Sequence, residues 1–319
     1  MPQKVIDTIR QTPKTLFSFE LLPPLKGKDI DGLYATIDRL VEFKPPFINI
    51  TYHREEVVYQ PLKNGLMQKK TVRKRPGTVA IAAAIRYKYD IPVVPHMICG
   101  GFSREETENA LLDLHFLGID NVLALRGDPA KSERGFVPDP GGNRYAVELV
   151  RQIMDLNRGK YLDPELVNTH PTRFSVGVAG YPEKHIEAPN PEQDLAYLKE
   201  KVDAGADYIV TQLFFDNAKY FDFVRRCREA GIEVPIIPGL KPIATQGHLS
   251  LLPQVFNIDI PQELARAVMA CKNSAEVMQV GVEWAIQQSR ELVQFGAPVI
   301  HFYTMGKADN VRQIAQAVF

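Results

Sequence analysis

Short apolar runs rich in β-branched residues recur at 15–21, 47–52, 92–97, 121–126, 174–179, 207–213, 234–240 and 298–304. Near-continuous runs of this kind predict strands buried on both faces of a parallel sheet. Helical periodicity fills the intervals between them. At 103–117, Ser103 and Glu106 form a capping box and Gly118 stops the helix. At 190–204, Asn190 caps, Pro191 takes the first helical position and Gly205 terminates. A helix at 216–230 starts at Asp216 and ends at Gly231, and Leu33, Ile37, Leu40 and Val41 mark a helix face after the first strand. Segments 79–86, 145–156, 275–292 and 307–318 complete the alternation. The pattern predicts an α/β fold, an eight-stranded parallel β/α (TIM-type) barrel forming a single domain over 1–319. The rival is a doubly wound open sheet. It usually carries a glycine-rich turn after its first strand. Here Leu22-Pro23-Pro24-Leu25 follows that strand, and GxGxxG occurs nowhere.

Two stretches break the rhythm. The segment 129–143 is rich in Pro, Gly and charge and reads as a long loop after the fourth strand. The segment 157–172 is an extra polar excursion before the fifth.

Composition narrows the partners. Thirty-eight basic and thirty-eight acidic residues cancel, which argues against a field for nucleic acid or an anionic membrane. No apolar run reaches the roughly 18 residues of a membrane span, and the first residues lack a signal peptide's apolar core. Cys99, Cys227 and Cys271 lie far apart with no CxxC pair, so neither a disulfide framework nor a zinc site is expected, and a reducing cytoplasm is the expected compartment.

In a β/α barrel the active site sits at the C-terminal ends of the strands. Polar residues there are the candidates. Glu20 is a carboxylate inside an apolar run. Burial raises the pKa of such a group and suits it to general acid work, unless a neighbouring strand supplies an ion-pair partner. The second strand ends Thr51-Tyr52-His53 and the third ends Pro95-His96. A lone histidine there is more often a hydrogen-bonded spacer than a base. No metal-binding spacing accompanies it, so no metal is expected. The fourth ends Arg126-Gly127-Asp128-Pro129. Gly127 permits positive φ, Arg126 offers a fork of donors for phosphate or carboxylate, and Asp128 puts an anion at the mouth. An Arg126–Asp128 pair closing the turn is the plain alternative. Gln212 can both donate and accept, which suits the edge of an amide-like heterocycle, or a satisfied core glutamine. Lys241, after the seventh strand, is a candidate Schiff-base amine, although nothing near it in sequence would lower its pKa.

Taken together, these strand ends resemble the methylenetetrahydrofolate reductase family of flavin enzymes. The segments that carry the likeness are Phe19-Glu20 with Pro23-Pro24, Ile50-Thr51-Tyr52, Pro95-His96 and Leu125-Arg126-Gly127-Asp128. They continue with Tyr181-Pro182-Glu183, His185, Glu187-Ala188 and Asp203-Ala204-Gly205-Ala206. Thr211-Gln212 with Phe214-Phe215-Asp216, Ile237-Pro238-Gly239 and His301-Phe302-Tyr303-Thr304 complete the set. Their order covers nearly the whole chain.

The resemblance implies a barrel that binds FAD non-covalently without a Rossmann domain. It implies a ping-pong reaction in which a reduced nicotinamide, NADH by analogy with bacterial members, passes hydride to the flavin. Methylenetetrahydrofolate is then reduced at the same face. On the matching positions, Glu20 would be the general acid and Asp128 the electrostatic partner of the substrate cation. FAD would be held by Tyr52, His96, Arg126, Gly127, Asp128, Ala146, Tyr181, His185, Ala188, Asp194 and Lys201. Thr51, Asp128, Gln212 and Lys307 would meet the substrates. His248, with Gln246 beside it, stands where the family often has a second substrate-binding glutamine. Tyr197 stands where a smaller polar residue is common, and the long 129–143 loop would shift Tyr145 and Ala146. Because the chain stops at Phe319, the regulatory domain of eukaryotic relatives is expected to be absent, and with it inhibition by S-adenosylmethionine. A homo-oligomer is expected. A Schiff-base lyase using Lys241 and a non-catalytic flavin or folate binder remain the alternatives.

Overall fold

The computed structural model describes residues 4–130, 133 and 135–319. Helix α1 (Val5–Gln11) leads into β1 (Leu16–Leu21), α2 (Asp31–Asp38) and β2 (Ile48–Ile50). A hairpin follows, β3 (Glu56–Pro61) with β4 (Met67–Val72). The barrel then resumes with α3 (Thr78–Tyr89), β5 (Val93–Ile98), α4 (Arg104–Phe116) and β6 (Asn121–Leu125). Next come α5 (Ala146–Leu156), β7 (Ser175–Gly180), α6 (Pro191–Asp203), β8 (Tyr208–Thr211) and α7 (Asn217–Glu229). The chain continues through β9 (Ile236–Ile237), β10 (Gly239–Leu240), α8 (His248–Phe256), α9 (Gln262–Met269) and α10 (Ser274–Phe295). It ends with β11 (Val299–Tyr303) and α11 (Asp309–Val318).

The main sheet runs β10-β11-β1-β2-β5-β6-β7-β8-β9, and every pairing in it is parallel. Its two end strands are consecutive in the chain and separated only by Pro238, whose missing N–H interrupts the ladder. The seventh strand is thus present in two pieces, one paired to β8 and one to β11, and the cylinder closes through it. The expected barrel is the observed one.

Side chains alternate across the cylinder wall. Phe17, Phe19, Ile48, Ile50, Met97, Val122, Val176, Ile300 and Phe302 point outward into the core shared with the helices. Phe47, Val94, Leu123, Tyr208, Val210, Ile237 and Val299 pack the interior. Val5 and Ile9 of α1 join them, so α1 caps the N-terminal end. This leaves the C-terminal end as the mouth.

The helix signals are met locally. Ser103 and Glu106 cap α4 reciprocally, Asn190 caps α6 with Pro191 in the first turn, and Asp216 caps α7. The hairpin and helices α1, α8 and α9 are additions to the sequence-based expectation.

Helix α10 touches the segment after β10 closely. A Cβ at Gly281 would lie 1.9 Å from the Ile243 carbonyl oxygen. Gly281→Ala must therefore displace the 241–245 segment, and an overpacked contact of this kind costs about 1–3 kcal/mol. Urea unfolding is expected to show that loss, with a normal midpoint contradicting the contact.

Candidate active site

Glu20 sits near the end of β1, with its side chain 13% exposed. Burial pushes its pKa up to about 8. His96 on β5 faces it, with Nε2 at 3.4 Å from the carboxyl oxygen. Burial holds His96 down to about 3. The contact is therefore one between a neutral acid and a neutral imidazole near pH 7, and the ion-pair alternative for Glu20 is not met. The Thr304 hydroxyl donates to the Glu20 carbonyl at 2.6 Å and pins the strand at that point.

Tyr303, at the end of β11, donates to the Thr211 carbonyl at 2.6 Å. Burial raises its pKa, as do the Glu20 carboxyl and Tyr181. Tyr181, after β7, is raised by burial and, further down the order, by Asp194 and Asp128, while Arg126 opposes the shift. Asp128 also acts on His53, whose pKa is lowered by burial and by Arg75. Glu20, near the end of β1, and Asp128, just past β6, thus share the C-terminal end of the barrel, with Tyr303 and Tyr181 on one side and His96 and His53 on the other.

The rest of this end is held by specific contacts. Arg126 pairs with Glu187 and lies over the Phe136 ring, 5.0 Å from its centroid. It does not close a turn with Asp128, which remains exposed. Gly127 adopts φ +85°, and a Cβ there would press on Ile98 at 3.2 Å. The His185 backbone N–H donates to Asp194 at 3.0 Å, and the His185 ring meets Tyr181 edge-on at 4.7 Å. Lys201 donates to the Ala179 carbonyl at 2.6 Å, and burial lowers its pKa to about 8. Lys184 donates to the Ala188 carbonyl at 2.6 Å, fixing the small buried residue there. Ala146 opens α5 directly after the long loop, at the same end of the barrel. Tyr52 packs on Phe102 with ring centroids 5.0 Å apart.

On the substrate candidates, Thr51 donates to the Leu21 carbonyl at 3.3 Å. The Gln212 carboxamide oxygen accepts from the Leu213 N–H at 3.0 Å, which orients the side chain. Lys307 is exposed just beyond β11. Lys241 corrects the sequence-based expectation. Burial and then Lys307 lower its pKa, and His248 feels both lysines after burial. The lowering groups come from distant segments and are invisible in local sequence. Gln246 is turned away, donating to the Cys271 carbonyl at 3.1 Å.

Residues that sequence reasoning gave no role include Arg73 and Arg75 at the hairpin's base, and the inward-facing Asn49 and His301. A usable signal existed for the last two. They are polar at alternate positions of otherwise apolar strands.

The comparisons fall on this same frame. The profile of the methylenetetrahydrofolate reductase family matches residues 5–318. The chain belongs to that family. Methylenetetrahydrofolate reductase (NADH) 1 of Arabidopsis thaliana is 35% identical over 95% of this chain and 48% of the plant protein. The chain therefore spans about half the length of that relative. The 5,10-methylenetetrahydrofolate reductase of Salmonella typhimurium is 31% identical over 92% of this chain and 86% of its own. Among solved structures, a Clostridium thermocellum protein described as binding two copies of 5-methyl-5,6,7,8-tetrahydrofolic acid superposes with TM-score 0.60. It is 16% identical, covering 98% of this chain and 97% of its own, which speaks for the barrel fold alone.

The pKa of Glu20 has a consequence for stability. Its folded-state value of about 8 lies above the ordinary 4.5. Its contribution is thus intact below the ordinary value and is lost as pH rises through the folded one. Glu20→Gln removes that loss. The melting temperature of the variant relative to the parent is expected to be higher at about pH 9 than at about pH 5, and a pH-independent difference would contradict the assignment.

Proposed function

We propose that this chain reduces methylenetetrahydrofolate to methyltetrahydrofolate with NADH as hydride donor and FAD as carrier. The observation that carries the reading is the largely buried Glu20 carboxyl, whose pKa burial raises, at the same end of the barrel as the exposed Asp128, in a chain of this family. The Clostridium protein's reported ligand, a reduced folate, agrees with it.

The residues present fit FAD. Gly127 supplies backbone at φ +85° with no side chain at the rim. Arg126 and Lys201 bring positive charge suited to a diphosphate and to ribityl oxygens. Ala146 and Ala188 leave room, and Tyr52, Tyr181 and His185 offer rings. Arg126, Tyr181, His185, Asp194 and Lys201 already interact with one another. His96, Gly127 and Asp128 complete the set. When bound, FAD supplies the acceptor and donor of hydride that link the two half-reactions.

Glu20 holds its proton at neutral pH and gives it to a folate ring nitrogen. The imidazolidine ring opens, and the positive charge that develops on the methylene carbon is met by Asp128. Hydride then completes the methyl group. Gln212, whose carboxamide oxygen accepts from the Leu213 N–H, bonds the pterin with its remaining donors, and the nicotinamide when that occupies the face. Thr51 lines the same face, and Lys307 meets the folate carboxylates.

Purified protein is expected to be yellow, bleached by NADH and restored by methylenetetrahydrofolate. Colourless protein that binds no added FAD would contradict the cofactor assignment. In stopped flow, Glu20→Gln is expected to slow the folate half-reaction by at least about 100-fold, the usual scale of acid catalysis, and to spare NADH oxidation. Equal loss of both half-reactions would refute the acid's role. Asp128→Asn should weaken the folate half-reaction and alter the nicotinamide half-reaction too.

A further inference from the structure

Below the acid, the barrel interior is polar before it becomes apolar. Ser18, Asn49, His96 and His301 are all buried there, each at most 6% exposed. Strand β1 lies between β11 and β2, with Ser18 level with His301 and Glu20 level with Asn49. Alternation puts all of these side chains on the inner face. Ser18 Oγ and His301 Nδ1 are 2.8 Å apart. The Asn49 amide nitrogen lies 3.4 Å from His96 Nε2, which is also the atom facing Glu20.

Two atoms in this cluster have no partner among the described residues, His301 Nε2 and Asn49 Oδ1. A neutral imidazole presents either a donor or a lone pair at each nitrogen, and a buried one is rarely left bare. The His301 ring cannot turn to find a protein partner. It is stacked on Phe47 at 6.4 Å, edge-on to Tyr303 at 5.3 Å and tied to Ser18 at its other nitrogen. A buried water needs two or more polar partners, and His301 Nε2 and Asn49 Oδ1 are partnerless buried atoms on this same inner face.

We propose that His301 and Asn49 hold a water beneath the Glu20–His96 pair, and that His301 is thereby a positioning residue for the acid. The water donates to Asn49 Oδ1 and bonds His301 Nε2. Asn49 must then keep its NH2 toward His96, whose Nε2 accepts with its one lone pair and so carries no proton to donate to Glu20. A carboxylate facing a nitrogen with no proton to donate is disfavoured, and the acid keeps its proton until substrate takes it. Without the water, Asn49 is free to turn its oxygen to His96. The imidazole then carries its proton on Nε2, donates to Glu20 and favours the ionised form.

The inference rests on the reading of Glu20 as the general acid. Glu20 is faced by His96 from β5 and Tyr303 from β11, with Asn49 the uncharged neighbour on β2. Behind His96 lies His53, flanked by Arg75 and Asp128, and behind Tyr303 lies Tyr181. The histidines are held down and the tyrosines up. Lys201 also lies near 8, on the flavin side, and would act on both half-reactions, so an alkaline limb near 8 confined to the folate half-reaction belongs to the acid.

The test is the pH dependence of the two half-reactions in flavin-loaded protein, followed by stopped flow. His301→Phe fills the site and is expected to move the alkaline limb of the folate half-reaction down by about one pH unit, a tenfold change in the acid's proton affinity. The nicotinamide half-reaction should keep its pH profile. His301→Gln, which can still bond the water, should restore the limb. Asn49→Leu removes the other anchor and should reproduce the shift, which covers the case that the phenylalanine variant does not fold. An unmoved limb in the folded variants overturns the proposal. So does a parallel loss of both half-reactions with no change of profile, the mark of a merely structural histidine. Failure of the underlying reading looks different. In that case the parent enzyme itself shows no alkaline limb that Glu20→Gln abolishes.

Discussion

One constraint organises this molecule: a carboxylic acid and an imidazole, 3.4 Å apart and largely buried, both uncharged near neutral pH. An ionised pair at this depth would lose more hydration than its attraction returns. Neutrality is what makes the acid chemically useful. A surface glutamate has given up its proton long before pH 7, whereas this one still has it to donate.

The fold supplies the burial. Outward phenylalanines and isoleucines weld the strands to the helices, and α1 caps the far end with Val5 and Ile9. The seventh strand, broken at Pro238, lets one short segment pair with both β8 and β11 and so close the cylinder. A Cβ at Gly239 would lie 2.4 Å from the Thr211 carbonyl oxygen and 2.6 Å from the Tyr303 ring, so glycine is required where the strand resumes. That close approach brings together Thr211, Tyr303 and, through Thr304, the backbone of Glu20. Rim residues such as Asp128 can then remain exposed while the acid stays largely buried.

Much of this was legible in sequence because each strand of a β/α barrel is buried on both faces and reads as an apolar run. Polar residues within such runs stood out for the same reason, and Glu20 and His96 do meet in space. The β3–β4 hairpin was not legible from periodicity, since its strands are largely exposed and carry lysine, glutamine and threonine. Its signal lay in the turn at Asn64-Gly65, where Gly65 takes φ +79°. The partners of Lys241 and Arg126 were hidden because Lys307 and Glu187 arrive from far along the chain. Asn49 and His301 were legible only as members of an alternating inner face, a property of the closed barrel rather than of any one segment.

The protonation state of Glu20 in the resting protein is the most direct measure of this account. Infrared difference spectra of the parent and Glu20→Gln, taken across about pH 5 to 10, isolate its carboxyl band. The account expects a protonated carboxyl stretch that persists through neutral pH and disappears near the assigned value of about 8. A carboxylate band already present at about pH 6 would contradict it.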